Sequence, residues 1–174
     1  EFVGEGMLKL SENVLRYSGG DLNLIDNFFY MYRNEYSKNP YNLTTLMPGV
    51  KDIFKYLLDK NIPINICTNK RQHVAEKILK HMNLFDNFDF IVGAKKEVPL
   101  KPHRYMIDLI CNKYNSDKNE FIMVGDTNID ILAAKNAEII SVIVEGGYTN
   151  KDCKTLGADF CLDNISELTS ALNL

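Results

Sequence analysis

Asp126 and Asp130 stand four residues apart in the segment Val124-Gly125-Asp126-Thr127-Asn128-Ile129-Asp130. A carboxylate just after a hydrophobic strand, and a second on the first turn of the following helix, present two acidic groups on one face. Two such groups repel unless something positive lies between them. A hard divalent cation such as Mg2+ meets that need, because it takes oxygen ligands and keeps positions for water and phosphate oxygens. Asp126 equally reads as a helix cap, favoured by the positive end of the helix dipole. Two other polar loops carry complementary chemistry. Cys67-Thr68-Asn69-Lys70 offers a hydroxyl and backbone amides at a helix N-terminus, which suits a phosphate oxygen, although Thr68 or Asn69 alone also reads as a cap. Pro99-Leu100-Lys101-Pro102-His103 places Lys101 between two prolines, and Pro102 keeps Lys101 out of helical geometry and so directs its ammonium. A lone Lys is ordinarily a solvated surface group; beside the other two loops it completes a set. A hydroxyl, an ammonium and an acidic pair for a metal are what phosphoryl transfer needs, since that reaction is catalysed by positioning and by neutralising charge on oxygen.

These loops meet only if the elements before them are parallel strands. After Pro48 the pattern alternates helices with short β-rich runs, which predicts a parallel sheet with crossover helices. Val50, Ile53, Phe54, Leu57 and Leu58 follow helical spacing behind Pro48. Strands are predicted at Ile62–Cys67, Phe88–Val92, Phe121–Val124, Ile139–Val144 and Phe160–Leu162. Helices are predicted around Val74–Met82, His103–Tyr114, Ile129–Ala137 and Ile165–Leu172. The Phe121–Val124 run reads as the most buried strand. In such sheets functional groups gather where strands end and helices begin. The first 46 residues instead carry Leu22, Ile25, Phe28, Phe29 and Tyr32 at helical spacing, predicting helices over Met7–Tyr17 and Leu22–Tyr36 broken at Ser18-Gly19-Gly20. Phe28, Phe29 and Tyr32 are candidates for the surface between this lobe and the rest. Gly4-Glu5-Gly6 follows no strand and lacks a third Gly, so a dinucleotide site is a poor reading of it.

Composition removes several alternatives. The 20 Lys and Arg against 23 Asp and Glu leave a net charge of −3, without the basic footprint that non-specific nucleic-acid binding needs. The longest apolar runs are strand-sized, far below the ~20 residues of a membrane span. Cys67, Cys111, Cys153 and Cys161 stand far apart with no metal-ligand spacing; as reduced thiols they point to the cytoplasm. His73, His81 and His103 fall on separate segments and are assigned to surfaces.

The motifs Met47-Pro48-Gly49-Val50, Ile66-Cys67-Thr68-Asn69-Lys70, Val98-Pro99-Leu100-Lys101-Pro102 and Val124 through Ala134, in this order and spacing, resemble the haloacid dehalogenase superfamily of aspartyl-phosphate phosphatases, in its phosphoglycolate-phosphatase-like branch. Gly146-Gly147-Tyr148 and Gly157-Ala158-Asp159 are similar to its late loops, and Gly4-Glu5-Gly6 to a turn of its cap. The resemblance implies an α/β, Rossmann-like parallel sheet with crossover helices plus a small helical cap, the cap occupying residues 1–46 in part and the core residues 47–174. It implies that Thr68 and the Asn69 amide hold phosphate, that Lys101 stabilises charge on phosphate and nucleophile, that Asp126 ligates Mg2+ and that Asp130 supports the metal's water shell. The implied substrate is a small phosphorylated metabolite. Members of the family attack phosphorus with the first Asp of an Asp-x-Asp motif on their first strand, and no Asp-x-Asp occurs in these 174 residues. The expectation is therefore an upstream segment bearing that strand and the start of the cap. Two other readings stay open: a non-catalytic relative that binds phosphate without turnover, and a phosphoacceptor receiver domain, whose usual order of Asp, Thr and Lys this chain does not follow.

Overall fold

The structure, a computed structural model, describes residues 3–148 and 152–172. Two helices come first. Helix α1 (Met7–Tyr17) buries Ser11 and Leu15, and the Ser11 hydroxyl donates to the Met7 carbonyl at 2.9 Å. The second predicted helix opens instead as a 3-10 turn over Leu22–Leu24, because the Asp21 carboxylate accepts from the Asn23 N–H at 2.9 Å and holds the chain in a tight turn. It then continues as α2 (Ile25–Lys38). Asn39 to Met47 form turns, and α3 (Val50–Asp59) follows Pro48.

The remainder alternates as expected: β1 (Asn65–Arg71), α4 (Gln72–His81), β2 (Phe90–Ala94), α5 (Tyr105–Cys111), β3 (Ile122–Gly125), α6 (Asn128–Ala137), β4 (Ile140–Val144), α7 (Cys153–Leu156), β5 (Phe160–Leu162) and α8 (Leu168–Leu172). Every pairing between described strands is parallel, which matches the α/β fold class. β1 begins three residues later than its apolar run suggests, just past Pro63, which has no N–H to donate to a ladder. It then runs on through the polar Thr68-Asn69-Lys70, because β2 stays paired out to Arg71 opposite Ala94 across a register shift between Thr68 and Arg71. The predicted helix at His103 starts two residues late, since His103 Nδ1 accepts from the Tyr105 N–H at 3.1 Å and closes a turn first.

Among the described residues the sheet lies in two pieces, β1-β2 and β3-β4-β5. β1 and β3 each pair on one side only. Both still touch one core: Cys67 of β1 and Met123 of β3 pack on Ile107, Cys111, Ala133, Ala134 and Ala137. The expectation that Phe121–Val124 is the most buried strand is corrected here. β3 is half-buried along its length, whereas Val142, Ile143 and Val144 of β4 are buried between β3 and β5. Burial in a sheet follows a strand's paired position and the helices over it, and an apolar run alone does not report either. All three histidines are exposed.

The helical lobe is tied to the core at the far end of α2. Lys77 on α4 donates to the carbonyls of Ser37 at 3.2 Å and Lys38 at 2.7 Å, closing that helix terminus. The Tyr41 ring stacks on His81 with centroids 3.9 Å apart.

Ile143 is fully buried at the centre of β4. Ile143→Ala is expected to lower unfolding free energy in urea by about 2–5 kcal/mol, the range for deleting a large aliphatic core side chain. A loss below about 1 kcal/mol would contradict its central packing.

Candidate active-site cleft

The C-terminal ends of β1 and β3 bring Thr68, Asn69, Asp126 and Asp130 to one edge, and the loop before α5 brings Lys101 to them. Lys101 and Asp130 form the centre. Their side chains are about nine-tenths buried, and Lys101 Nζ donates to Asp130 Oδ1 at 2.6 Å. The same ammonium donates to the Cys67 carbonyl at 2.7 Å, binding the β1 end to the loop. A lysine ammonium carries three N–H donors, so one remains.

Asp130 is also built into the start of α6. Its Oδ2 accepts from the Thr127 N–H at 3.1 Å, the Thr127 hydroxyl at 2.7 Å and the Asp126 N–H at 3.3 Å. Thr127 and Asp130 thus form a capping box at the helix N-terminus. The capping role falls to these two, and Asp126 is left for other work. Burial pushes the Asp130 carboxyl upward, but the Lys101 ammonium and the Thr127 donors outweigh it and hold its pKa below the usual carboxylate value. Oδ1, bonded only to Lys101 among the described residues, keeps a lone pair for a further donor.

Asp126 is half-buried, and its Oδ2 accepts from the Tyr148 N–H at 3.0 Å. Gly147 allows that approach: a Cβ there would lie 2.3 Å from Asp126 Oδ2. The other carboxylate oxygen of Asp126 has no partner among the described residues. One free carboxylate oxygen beside a second carboxylate, at the edge of an open cleft, is a hard-oxygen donor set that fits Mg2+ with most of its ligands supplied by water and substrate.

Asn69 acts as a clasp. Its Oδ1 accepts from the Lys101 N–H at 2.8 Å, and its Nδ2 donates to the carbonyls of Lys101 at 2.9 Å and Gly4 at 2.8 Å. Gly4 has φ +126, in the region that favours glycine, and through it the Gly-x-Gly turn of the helical lobe meets the cleft. Neither Thr68 nor Asn69 caps α4, whose N-cap is Arg71 without a side-chain bond. The Thr68 oxygen accepts from the Lys70 N–H at 3.1 Å, and its own O–H has no acceptor among the described residues. Burial pushes the Cys67 thiol up to about 11, away from the thiolate form.

All five sequence-predicted site residues line one cleft of about 520 Å³ between the helical lobe and the core. Phe29 and Tyr32 line it too. Phe28, expected with them, does not and instead stacks on Tyr32 with centroids 6.4 Å apart. Tyr36, Arg71 and the Cys67 carbonyl escaped the sequence reading. Tyr36 continues the helical spacing of Phe29 and Tyr32 and was legible on that ground, whereas a carbonyl acceptor carries no sequence signal.

Comparison with known proteins bears on the family and the fold that carry this cleft. A family model described as haloacid dehalogenase-like hydrolase matches residues 7–144. A phosphoglycolate phosphatase of Chromobacterium violaceum is 30% identical over 95% of the chain and 75% of its own length. One from Agrobacterium fabrum is 32% identical over 86% and 62% respectively. Among solved structures, a predicted phosphoglycolate phosphatase from Haemophilus somnus matches with a TM-score of 0.89 at 22% identity, over 98% of this chain and 79% of that one. At that identity the likeness speaks for the fold.

Lys101→Met leaves the buried Asp130 carboxylate unpaired and is expected to cost about 3–5 kcal/mol near pH 7. Asp130 is depressed in the folded protein, so its stabilisation is complete above the unfolded carboxylate pKa and is lost as pH falls through the folded one. The gap between wild type and Lys101→Met in urea unfolding should therefore narrow steadily from pH 7 toward pH 3. A gap that stays constant with pH would contradict the pairing.

Proposed function

The chain belongs to the haloacid dehalogenase-like hydrolases, and from that membership we propose that it is a Mg2+-dependent phosphatase of small phosphorylated metabolites of the phosphoglycolate kind, acting through an aspartyl-phosphate. The observation that carries the proposal is the Lys101 ammonium, fixed by Asp130 and the Cys67 carbonyl, lining one cleft with the Thr68 hydroxyl and an Asp126 oxygen, each with bonding capacity unused among the described residues.

In this reading residues 1–46 are cap and residues 47–174 are core. Thr68 and the Asn69 amide hold two phosphate oxygens, and Lys101 neutralises charge on the phosphate and on the attacking carboxylate. Asp126 would hold Mg2+, which when bound would supply positive charge to offset that of the phosphate. Asp130 orients Lys101, and its remaining lone pair would be open to a donor beside the metal position. The nucleophile is the first Asp of an Asp-x-Asp segment lying outside these residues. Its carboxylate oxygen bonds to phosphorus as the ester P–O bond breaks, the leaving oxygen takes a proton from the second Asp, and water then cleaves the acyl phosphate to phosphate and carboxylate. The break between β1 and β3 supports this reading. An extended segment filling that break would pair with a strand on either side, and, running parallel to them, would end on the edge that carries Lys101 and Asp126.

The protein, expressed with any coding sequence that lies upstream of Glu1, should hydrolyse an aryl phosphate with Mg2+ and lose that activity in EDTA. Asp126→Ala should lower kcat/KM by about 10²-fold or more. Turnover that persists without metal would overturn the proposal, and phosphate binding without turnover would favour a non-catalytic role.

A further inference from the structure

Two cations follow the phosphate-holding loop, and their surroundings differ. Lys70 is committed to the helical lobe: its Nζ donates to the Tyr36 hydroxyl at 2.6 Å and lies 4.9 Å from the centre of that ring. Arg71 lines the same cleft as Thr68 and Lys101, is half-buried, and has neither an ion pair nor a side-chain hydrogen bond among the described residues. The other arginines with a structural role are accounted for. Arg16 pairs with Glu12, Arg104 with Asp108 and Glu138, and Arg33 lies near the rings of Phe29 and Tyr30. A half-buried arginine in a cleft, without a counter-charge among the described residues, has its guanidinium available to an incoming anion.

We propose that Arg71 is a specificity-determining residue which receives a carboxylate carried by the phosphorylated substrate. This rests on the reading of the cleft as a phosphatase site. The guanidinium fork matches a carboxylate with two parallel hydrogen bonds, a geometry that an ammonium cannot reproduce. Scale supports a small substrate. Three residues of strand place the backbone of Arg71 within about 10 Å of Thr68, a span that the long Arg71 side chain can shorten to meet a carboxylate a few bonds from the phosphate. The local charge agrees as well. Asp130 is neutralised by Lys101, and Asp126 faces the metal position, which leaves Arg71 as a cation in the cleft with no acidic partner among the described residues. Tyr32 and Tyr36 of the helical lobe, which also line the cleft, restrict the space for a longer chain.

The test compares the protein, expressed with any coding sequence that lies upstream of Glu1, with Arg71→Met and Arg71→Lys on three substrates: 2-phosphoglycolate, the neutral analogue 2-hydroxyethyl phosphate, and an aryl phosphate. Wild type should prefer the carboxylated substrate. In Arg71→Met the ratio of kcat/KM for phosphoglycolate over hydroxyethyl phosphate should fall about 10- to 100-fold, mainly through KM, as expected for loss of a charge-assisted bidentate contact. Arg71→Lys should recover part of it. Equal losses on both substrates, or an unchanged ratio, would overturn the assignment of Arg71 while leaving the phosphatase reading standing. A wild type that hydrolyses the aryl phosphate but shows no preference for the carboxylated substrate over hydroxyethyl phosphate would overturn it as well. No hydrolysis of any of the three with Mg2+ would instead defeat the phosphatase reading, and this assignment with it.

Discussion

The buried ion pair between Lys101 and Asp130 is the contact on which the geometry of the cleft depends. Each partner holds a different loop. Lys101 draws the segment before α5 onto the Cys67 carbonyl of β1, and Asp130 closes the turn from β3 into α6 by accepting from Asp126 and Thr127. Asn69 adds a second tie between the same two loops and a third to Gly4. In a low-dielectric setting such a network either satisfies every member or becomes a liability. No buried side-chain polar atom among the described residues lacks a partner. Among the described residues that line the cleft, those with spare hydrogen-bonding capacity include one Lys101 N–H, the Thr68 hydroxyl, one oxygen each of Asp126 and Asp130, and the Arg71 guanidinium.

That division between committed and uncommitted groups is the physical content of preorganisation here. A cation whose position is already fixed by a carboxylate and a carbonyl does not reorganise when an anion arrives. Gly147 and Gly4 serve the same end, the first by admitting the Tyr148 amide close to Asp126 and the second by letting the turn of the helical lobe reach Asn69.

Much of this is legible in the amino-acid sequence. The order of elements follows from hydrophobic periodicity, and α1 has the boundaries its pattern predicts. The three polar loops stand together because parallel strands must end on one edge. What the residues alone did not reveal depends on pairing across the chain. The extension of β1 to Arg71 comes from β2, and the deeper burial of β4 comes from having a strand on both sides. The choice of Thr127 over Asp126 as the cap comes from the reach of Asp130. The role of Glu138 is similar: it ends α6 in the left-handed conformation, φ 62, where glycine is ordinarily favoured, with Arg104 holding its carboxylate at 3.1 Å. Helical spacing marked Phe29 and Tyr32 as cleft residues but also suggested Phe28, because an aromatic stripe does not say which of its members turns inward.

A single phosphate and metal site around Lys101 is tested by crystallography of the protein, expressed with any coding sequence that lies upstream of Glu1, in Mn2+ and inorganic phosphate. An anomalous peak on the free oxygen of Asp126 and a phosphate within hydrogen-bond reach of Lys101 Nζ and the Thr68 hydroxyl are expected, with the Lys101–Asp130 pair intact. A metal bound away from Asp126, or a phosphate that leaves Lys101 uncontacted, would contradict it.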